Sequence, residues 1–359
     1  MSAHELPDLF RFKDGTRVQS RADWPRRRAE IAGAIVPVEY GEIPPPVPAT
    51  TRLELKCSTP DRFDGAESRQ YLISIAASPR ISFMLDVLIP VGVGPFPAIV
   101  SGDACWPLND EVPHEVLARG VILAHFNREQ IMPDSSAPEE DPSLRRAFPS
   151  DYGALAAWAW GYHRAVDILL TLPEVNPAQI AVTGHSRGGK TALLAAATDE
   201  RIALVSANQS GCGGAGCFRW QGEKSETLAD ILRQFPHWFA AGLKDFVGRD
   251  EALPFDQHSL KALIAPHPLL TTEALGDLWA NPEGTWQSHR AACEVYRFLG
   301  AEEKIAIRFR HGPHDHALVD WIALLDFMDE HFKGRKTVGS VDENPFRDLP
   351  PAHHWTAPG

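Results

Sequence analysis

Cysteine, basic residues and long apolar runs are all scarce in this chain of 359 residues. Its five cysteines are an odd number at irregular spacing, which is not the pattern of a disulfide scaffold and favours a reducing compartment. Acidic residues outnumber Lys and Arg by 47 to 35, giving a formal net charge of −12, and this excludes an extended phosphate-binding surface. No apolar run is long enough to cross a bilayer, and the first residues lack the basic start and apolar core of a signal peptide. We therefore expect a cytoplasmic protein without a nucleic-acid or membrane partner, and the sequence carries no signal for its oligomeric state.

The composition is that of a folded protein with a large core, since 44% of the residues are hydrophobic and 23% are charged. We expect one main domain over residues 51–335, because α/β proteins of this size commonly form a single sheet with insertions. Residues 1–50 are rich in Pro, Arg and Glu and are predicted to be a leader that wraps this domain. Residues 336–359 are predicted to be a C-terminal extension, loosely held from Gly339 onward.

Nine segments have the apolar character of β-strands, and their connections predict the fold class. The early strands are joined by turns and the later ones by helical stretches, which is the order of a mixed, mostly parallel sheet with helices on both faces. The expected architecture is α/β, in the three-layer sandwich of the α/β-hydrolase fold. Residues 152–170 are predicted to form a buried core helix. The predicted strands are 51–57, 70–77, 81–89, 96–101, 121–126, 180–185, 202–207, 267–272 and 304–310.

An apolar strand that ends in Gly184-His185-Ser186-Arg187-Gly188 is the strongest chemical signal in the sequence. This Gly-x-Ser-x-Gly motif is followed at once by a helix-like segment, as in a nucleophile elbow. Glycines flank the serine because the strand-to-helix turn is so tight that Cβ atoms there would clash. The turn raises the serine hydroxyl above the sheet and points the N-terminus of the next helix at it. Ser186 is therefore predicted to be a nucleophile.

A serine hydroxyl needs a base to accept its proton, and the loop after the last strand contains three histidines. In this fold an acid and then a histidine follow the serine along the chain. We predict His314 as the base because a Gly-Pro turn projects it, with His316 as the second choice. His311 lies nearer the strand and is interpreted as structural. A zinc site in the same loop is the alternative, although its ligand set would be incomplete.

The acid that orients the base is expected in the loop after the strand at 267–272. This part of the chain offers Glu273, Asp277 and Glu283. Asp277 is favoured because it lies a few residues past the strand end, among turn residues that can fix its geometry. The alternative interpretation of Asp277 is a helix-capping aspartate.

The oxyanion of an acyl-transfer reaction would be bound by backbone N–H groups next to the elbow. We expect the N–H of Arg187 to be one donor, and an N–H near Gly102 and Asp103 to be the other. The Arg187 side chain also places positive charge beside the nucleophile, which suits a developing oxyanion or an acidic substrate.

These residues resemble those of the glucuronoyl esterases, carbohydrate esterase family 15, which cleave esters between 4-O-methyl-glucuronic acid of xylan and lignin alcohols. The resemblance spans most of the chain. The family's elbow is similar to Gly-Cys-Ser-Arg-x-Gly-Lys, which Ser186, Arg187 and Lys190 match, whereas His185 stands where cysteine is usual. The other matches lie at residues 157–161, 164, 167, 199–204, 209–215, 253–258, 277–282, 314 and 320–321.

The resemblance implies roles for side chains around the elbow. It implies that Arg187 helps to form the oxyanion hole and that Lys190 contacts sugar hydroxyls. We expect Trp279, and the segment around Asp256 and His258, to shape the sugar site.

Gln209 is the main departure from the family pattern. Many members carry at this position the glutamate that serves as the triad acid, and a glutamine cannot stabilise an imidazolium by charge. Other members use an acid after the next strand, at a position that resembles Asp277. We therefore assign the acid to Asp277, place Gln209 among the substrate-binding residues, and expect Gln209→Glu to be neutral or mildly helpful.

The sequence as a whole predicts a serine esterase that hydrolyses glucuronoyl esters through a triad of Ser186, His314 and Asp277 and an acyl-enzyme. Neither a metal nor an organic cofactor is expected, and the substrate is a small-molecule or carbohydrate ester. Two alternatives stay open. One is a general acyl or acetyl esterase on the same scaffold, and the other is a catalytically silent binding protein, for which Gln209 is the argument.

Overall fold

The computed structural model describes residues 5–47, 51–60, 63, 65–137, 143–335 and 344–358. The strands are β1 (Thr51–Pro60), β2 (Glu67–Ile75), β3 (Ile81–Ile89), β4 (Phe96–Ser101), β5 (Ile122–Phe126), β6 (Val175–His185), β7 (Leu204–Asn208), β8 (Leu269–Ala274) and β9 (Ile305–Arg310). The α-helices are α1 (Trp24–Ile35), α2 (Glu111–Ala118), α3 (Ser143–Ala147), α4 (Ala154–Leu169), α5 (Arg187–Thr198), α6 (Leu228–Gln234), α7 (Gln257–Ile264), α8 (Pro282–Leu299) and α9 (Leu318–Lys333). Each predicted strand is present, with ends that differ by a few residues.

The strands lie side by side in one sheet within the described residues, in the order β1-β2-β3-β5-β4-β6-β7-β8-β9. β1, β2 and β3 pair antiparallel, and β3 pairs antiparallel with β5. From β5 through β4 to β9 every neighbouring pair is parallel. The predicted α/β-hydrolase architecture, with a mixed and mostly parallel sheet, is confirmed.

Alternate residues of the central strands enter two hydrophobic cores on opposite faces of the sheet. On one face Val100, Val182 and Val205 join the core that includes α1, α4, α5, α7 and α8. On the other face Ile99 and Ala181 join a smaller core with α2 and α9. The strands carry apolar residues on both sides because both faces are covered, as is usual for parallel sheets.

Helix α4 is buried along almost its whole length, as predicted. Trp158 and Trp160 are completely buried in the larger core. The indole N–H of Trp158 donates to the carbonyl oxygen of Met132 at 2.7 Å, and that of Trp160 donates to Pro45 at 2.9 Å. These hydrogen bonds satisfy the polar ends of the two tryptophans inside the core.

The two ends of the described chain pack against each other. The backbone N–H of Leu6 donates to the carbonyl of Ala352 at 2.8 Å, and the indole N–H of Trp355 donates to the carbonyl of Leu6 at 2.9 Å. The ring of Phe10 lies 6.0 Å from that of Trp355, which is 8% exposed. The expectation of a loosely held tail is therefore wrong for residues 344–358. Residues 336–343 lie outside the described residues, and the boundaries predicted after residues 50 and 335 stay predictions.

No helix within the described ranges combines the length and the apolar character needed to cross a bilayer. All five cysteines have free thiols, and those of Cys212 and Cys217 are buried. A disulfide between these two residues is therefore not part of the fold.

We expect Trp355→Ala to lower the free energy of unfolding by about 3–5 kcal/mol, because it removes a buried indole and leaves a cavity beside Phe10. Urea denaturation followed by circular dichroism measures this change. The matched control is Val93→Ala, whose side chain is 97% exposed and whose loss should change stability by no more than about 0.5 kcal/mol. Equal midpoints for the two variants would contradict the anchoring role of Trp355.

Candidate active site

Strand β6 and helix α5 meet at Ser186 in the strand-to-helix turn that the sequence predicts. Ser186 has φ 57° and ψ −120°, a strained conformation for a residue with a side chain. A Cβ atom on Gly184 would overlap the carbonyl of Gly188, and one on Gly188 would overlap the carboxylate of Asp103. The two glycines are thus required by close contacts on both arms of the elbow.

His314 and Asp277 come together at the carboxyl edge of the sheet. β8 and β9 are parallel neighbours, so the loops that follow them meet at the same edge. The Nδ1 atom of His314 lies 2.5 Å from Oδ2 of Asp277. Oδ1 of Asp277 accepts a long hydrogen bond of 3.4 Å from the N–H of Ala280, so the same carboxylate contacts His314 and caps the turn that follows it. Because Nδ1 is engaged, Nε2 of His314 is the ring nitrogen left to exchange protons.

The competing candidates make other contacts. His316 stacks on Trp321 with ring centroids 4.7 Å apart, and Glu273 is fully buried within β8. Glu283 accepts a hydrogen bond of 2.5 Å from the indole N–H of Trp220. In the described parts of the chain no group of three or more His, Cys, Asp or Glu side chains is arranged to hold a metal ion. The zinc interpretation of the histidine loop therefore has no ligand set.

Gln209 holds the loop that carries His314. It follows β7 with a φ of 43° and is 1% exposed. Its side-chain N–H donates to the carbonyl of Asp315 at 2.9 Å, and its side-chain oxygen accepts from the N–H of Asp315 at 3.1 Å. This pair of hydrogen bonds clamps the residue after His314. The assignment of Gln209 to substrate binding is corrected, because both ends of its amide are occupied by backbone.

Asp256 and His258 also lie beneath the site and do not line it. Both are 0% exposed. The carboxylate of Asp256 accepts hydrogen bonds from the N–H groups of Phe218, Arg219 and Gln257 at 2.8–3.1 Å, so it caps the start of α7. His258 bonds through Nε2 to a backbone carbonyl at 2.8 Å. The expectation that these residues shape the sugar site is corrected, since neither side chain reaches a surface.

The carboxylate of Asp103 connects the loop after β4 to the elbow. Oδ2 accepts a hydrogen bond of 2.7 Å from the N–H of His185, and Oδ1 forms an ion pair with the buried guanidinium of Arg128. Burial raises the pKa of Asp103, whereas Arg128 and the His185 N–H act in the opposite direction. The ion pair gives the fully buried guanidinium of Arg128 the partner that a charge needs inside a protein.

The expected oxyanion donor on the same loop is engaged elsewhere. The N–H of Gly102 donates to the hydroxyl of Tyr162 at 2.8 Å, and that hydroxyl donates to the carbonyl of Thr183 at 2.8 Å. The prediction for Gly102 is therefore wrong. The N–H of Arg187 is different, because the first residue of a helix has no acceptor within that helix.

An ion pair and neighbouring aromatic rings fix the position of the Arg187 guanidinium. It forms an ion pair with Asp134 and lies 4.8 Å from the ring centroid of Trp238 and 5.7 Å from that of Trp106. Asp134 also accepts hydrogen bonds from His237 Nε2 at 2.8 Å and from the Trp238 indole at 2.7 Å. Burial alone would raise the pKa of Asp134, but these three partners lower it below its usual value. Asp134 is thus an anion that fixes the direction of Arg187.

Lys190 lies one helical turn after Ser186 and is only 3% exposed. Its ammonium donates to the carbonyl of Ser210 at 2.6 Å and to that of Cys212, and it lies 3.9 Å from a carboxylate oxygen of Glu226. Burial lowers the pKa of Lys190, and Glu226 raises it. Trp279, which is 45% exposed, bonds through its side chain to the same carboxylate. Lys190 is therefore a partner in a buried ion pair and not a solvated lysine.

Asp134, Glu226 and Trp238 were not predicted from the sequence. Asp134 and Glu226 lie outside helices and strands, Trp238 ends a three-residue 3-10 helix, and none of the three belongs to a catalytic motif. The one sequence pattern near Glu226 is the capping box that Thr227 forms with Asp230. It predicts that a helix begins just after Glu226, but it does not indicate a role for the carboxylate.

The sheet order and the elbow after β6 define an α/β-hydrolase. A family model described as glucuronyl esterase of fungi matches residues 73–300. A 4-O-methyl-glucuronoyl methylesterase from Wolfiporia cocos is 34% identical over 315 residues, which cover 82% of this chain and 72% of the relative. The chain belongs to the glucuronoyl esterases of carbohydrate esterase family 15, and it is a carboxylic ester hydrolase.

Solved structures of the family agree with this assignment. A glucuronoyl esterase from Caldicellulosiruptor kristjansonii is 30% identical, with a TM-score of 0.80 over 97% of both chains. A variant glucuronoyl esterase from Sporotrichum thermophile, solved with methyl 4-O-methyl-β-D-glucopyranuronate, is 26% identical with a TM-score of 0.76 over 93% of this chain and 89% of its own. Relatives of this chain thus act on or bind methyl esters of glucuronate.

We expect Gln209→Glu to destabilise the protein, contrary to what the sequence alone suggests. A carboxylate keeps the bond from the Asp315 N–H but loses the donor to the Asp315 carbonyl, which costs about 1–3 kcal/mol at a buried position. Thermal melting of the variant measures this loss. A melting temperature equal to or above that of the unchanged protein would show that the clamp on Asp315 does not need the amide.

Proposed function

We propose that the protein hydrolyses esters of glucuronate, with Ser186 as nucleophile, His314 as proton carrier and Asp277 as the acid that orients His314. The observation that carries this proposal is the 2.5 Å contact between His314 Nδ1 and Asp277 Oδ2. It lies at the edge of the sheet where the elbow presents Ser186. A carboxylate on Nδ1 sets the tautomer that leaves Nε2 able to accept the serine proton.

In the first half of the reaction, Ser186 Oγ attacks the ester carbonyl carbon and its proton passes to Nε2 of His314. Arg187 stabilises the oxyanion through its N–H and its guanidinium. His314 then protonates the oxygen of the leaving alcohol as the C–O bond breaks. In the second half, water gives a proton to His314 and attacks the acyl-enzyme. The uronic acid leaves, and the proton returns from His314 to Ser186.

Recognition of the sugar is assigned to Lys190, Glu226 and Trp279. The ammonium and the carboxylate are 3.9 Å apart, too far for a direct hydrogen bond. Lys190 uses two of its three protons on backbone carbonyls. A sugar hydroxyl fits this pair because it can accept from the ammonium and donate to the carboxylate. The half-exposed indole of Trp279 then provides a flat apolar wall for the sugar ring.

The free thiols of all five cysteines support the expectation of a reducing compartment. A cytoplasmic esterase meets small uronate esters and not the lignin–carbohydrate polymer. We therefore place small uronate esters among the substrates of this protein, with the polymer-derived ester as the alternative.

We expect Asp277→Asn to lower kcat on methyl glucuronate by roughly four orders of magnitude, because His314 loses both its charge partner and its tautomer control. Ser186→Ala serves as the reference for complete loss of the nucleophile. Initial rates with methyl glucuronate measure both variants. A kcat for Asp277→Asn within a few-fold of the unchanged enzyme would place the acid elsewhere.

We expect Glu226→Gln to lower kcat/KM on methyl glucuronate by roughly tenfold or more, since a hydrogen bond to a charged group is worth about 1.5–3 kcal/mol. Hydrolysis of p-nitrophenyl acetate, which has no sugar, should stay unchanged. The matched control is Glu223→Gln, on the same segment, whose side chain is 80% exposed. Equal losses on both substrates would favour a general acyl esterase.

A further inference from the structure

His185, the residue before the nucleophile, packs its ring against the ring of His314. The two ring centroids are 4.3 Å apart, with an angle of 41° between the planes. His185 is itself enclosed by aromatic rings, since Trp106 meets it edge-on at 5.9 Å and His316 stacks at 5.8 Å. The His314 side chain is 43% exposed, so His185 supplies a packing contact to a ring that is otherwise open to solvent.

The hydrogen bonds of His185 define its tautomer. Its Nδ1 lies 2.5 Å from Oδ1 of Asn208. The side-chain N–H of Asn208 donates to Oγ1 of Thr272 at 2.9 Å, so the amide oxygen is the atom that faces His185. An amide oxygen only accepts, and Nδ1 of His185 must therefore carry the hydrogen. The ring cannot turn without breaking this bond.

His185 is neutral near pH 7. Burial, together with the charge that neighbouring His314 can carry, lowers the pKa of His185 to about 4. A neutral ring beside His314 does not repel the imidazolium that forms when Ser186 gives up its proton.

We propose that His185 is a positioning residue for the general base. Its ring, which is fixed by the hydrogen bond to Asn208, keeps the His314 imidazole in the orientation in which Nδ1 contacts Asp277 and Nε2 can accept the proton of Ser186. This inference rests on the proposed role of His314. The shape of the supporting ring is what matters, because the two rings meet in a tilted packing contact, with centroids 4.3 Å apart.

The test compares His185→Ala with His185→Phe. Both variants lose the hydrogen bond to Asn208, but only the phenylalanine keeps a ring against His314. We expect His185→Ala to lower kcat by roughly tenfold or more on both methyl glucuronate and p-nitrophenyl acetate, with KM little changed, because a misplaced base slows the chemical step. His185→Phe should recover most of kcat. The control is His311→Ala, because His311 is exposed and lies on the loop that carries His314. This variant should leave kcat unchanged.

Melting curves of both His185 variants measure how far each variant is destabilised. Because both variants lose the hydrogen bond to Asn208, a difference in kcat between them reports on the ring and not on that bond. Equal losses of kcat in the Ala and Phe variants, or full kcat in His185→Ala, would overturn the positioning role. His314→Ala distinguishes the two proposals. If it is inactive while His185→Ala is fully active, only the role of His185 fails, whereas activity in His314→Ala overturns both.

Discussion

The geometry of the active site depends on the partly buried carboxylate of Asp103. One oxygen accepts the N–H of His185, and the other pairs with Arg128, while Gly188 lies against the same group. The carboxylate therefore touches both arms of the turn that carries Ser186. Removing one partner of a buried ion pair costs about 3–5 kcal/mol. That cost arises because Arg128 would be left as an unpaired buried charge, so the ion pair keeps Asp103 against both arms of the elbow.

Local sequence pattern was sufficient for the sheet and for the proximity of His314 and Asp277. The strands are short apolar runs bounded by turn residues, and such runs are visible without tertiary information. His314 and Asp277 were found because loops after neighbouring parallel strands meet at one edge. The roles of Asp256 and His258 were predicted wrongly because similarity to a family segment does not show whether a side chain is exposed or buried. A carboxylate just before a helix is also suited to capping that helix, and this is the contact that Asp256 makes.

Contacts between distant irregular segments could not be predicted. Asp134 precedes Arg187 by 53 residues and lies in no regular element, so nothing local indicates that the two side chains pair. Gln209 shows a second kind of limit. The resemblance to the family implied that a glutamate would be neutral or mildly helpful at this position, but the two hydrogen bonds with the backbone of Asp315 require a donor and an acceptor in one side chain. Only the amide has both. Asp277, after β8, thus contacts the His314 ring, and Gln209, after β7, holds the loop that carries His314.

The contact between the two chain ends has a consequence during synthesis. Leu6 is synthesised 349 residues before Trp355, the residue whose indole binds its carbonyl, and Phe10 likewise precedes Trp355. A growing chain therefore leaves the side of Phe10 that meets Trp355 uncovered until Trp355 has been made. Chaperones that bind exposed apolar segments have access to this surface during that interval.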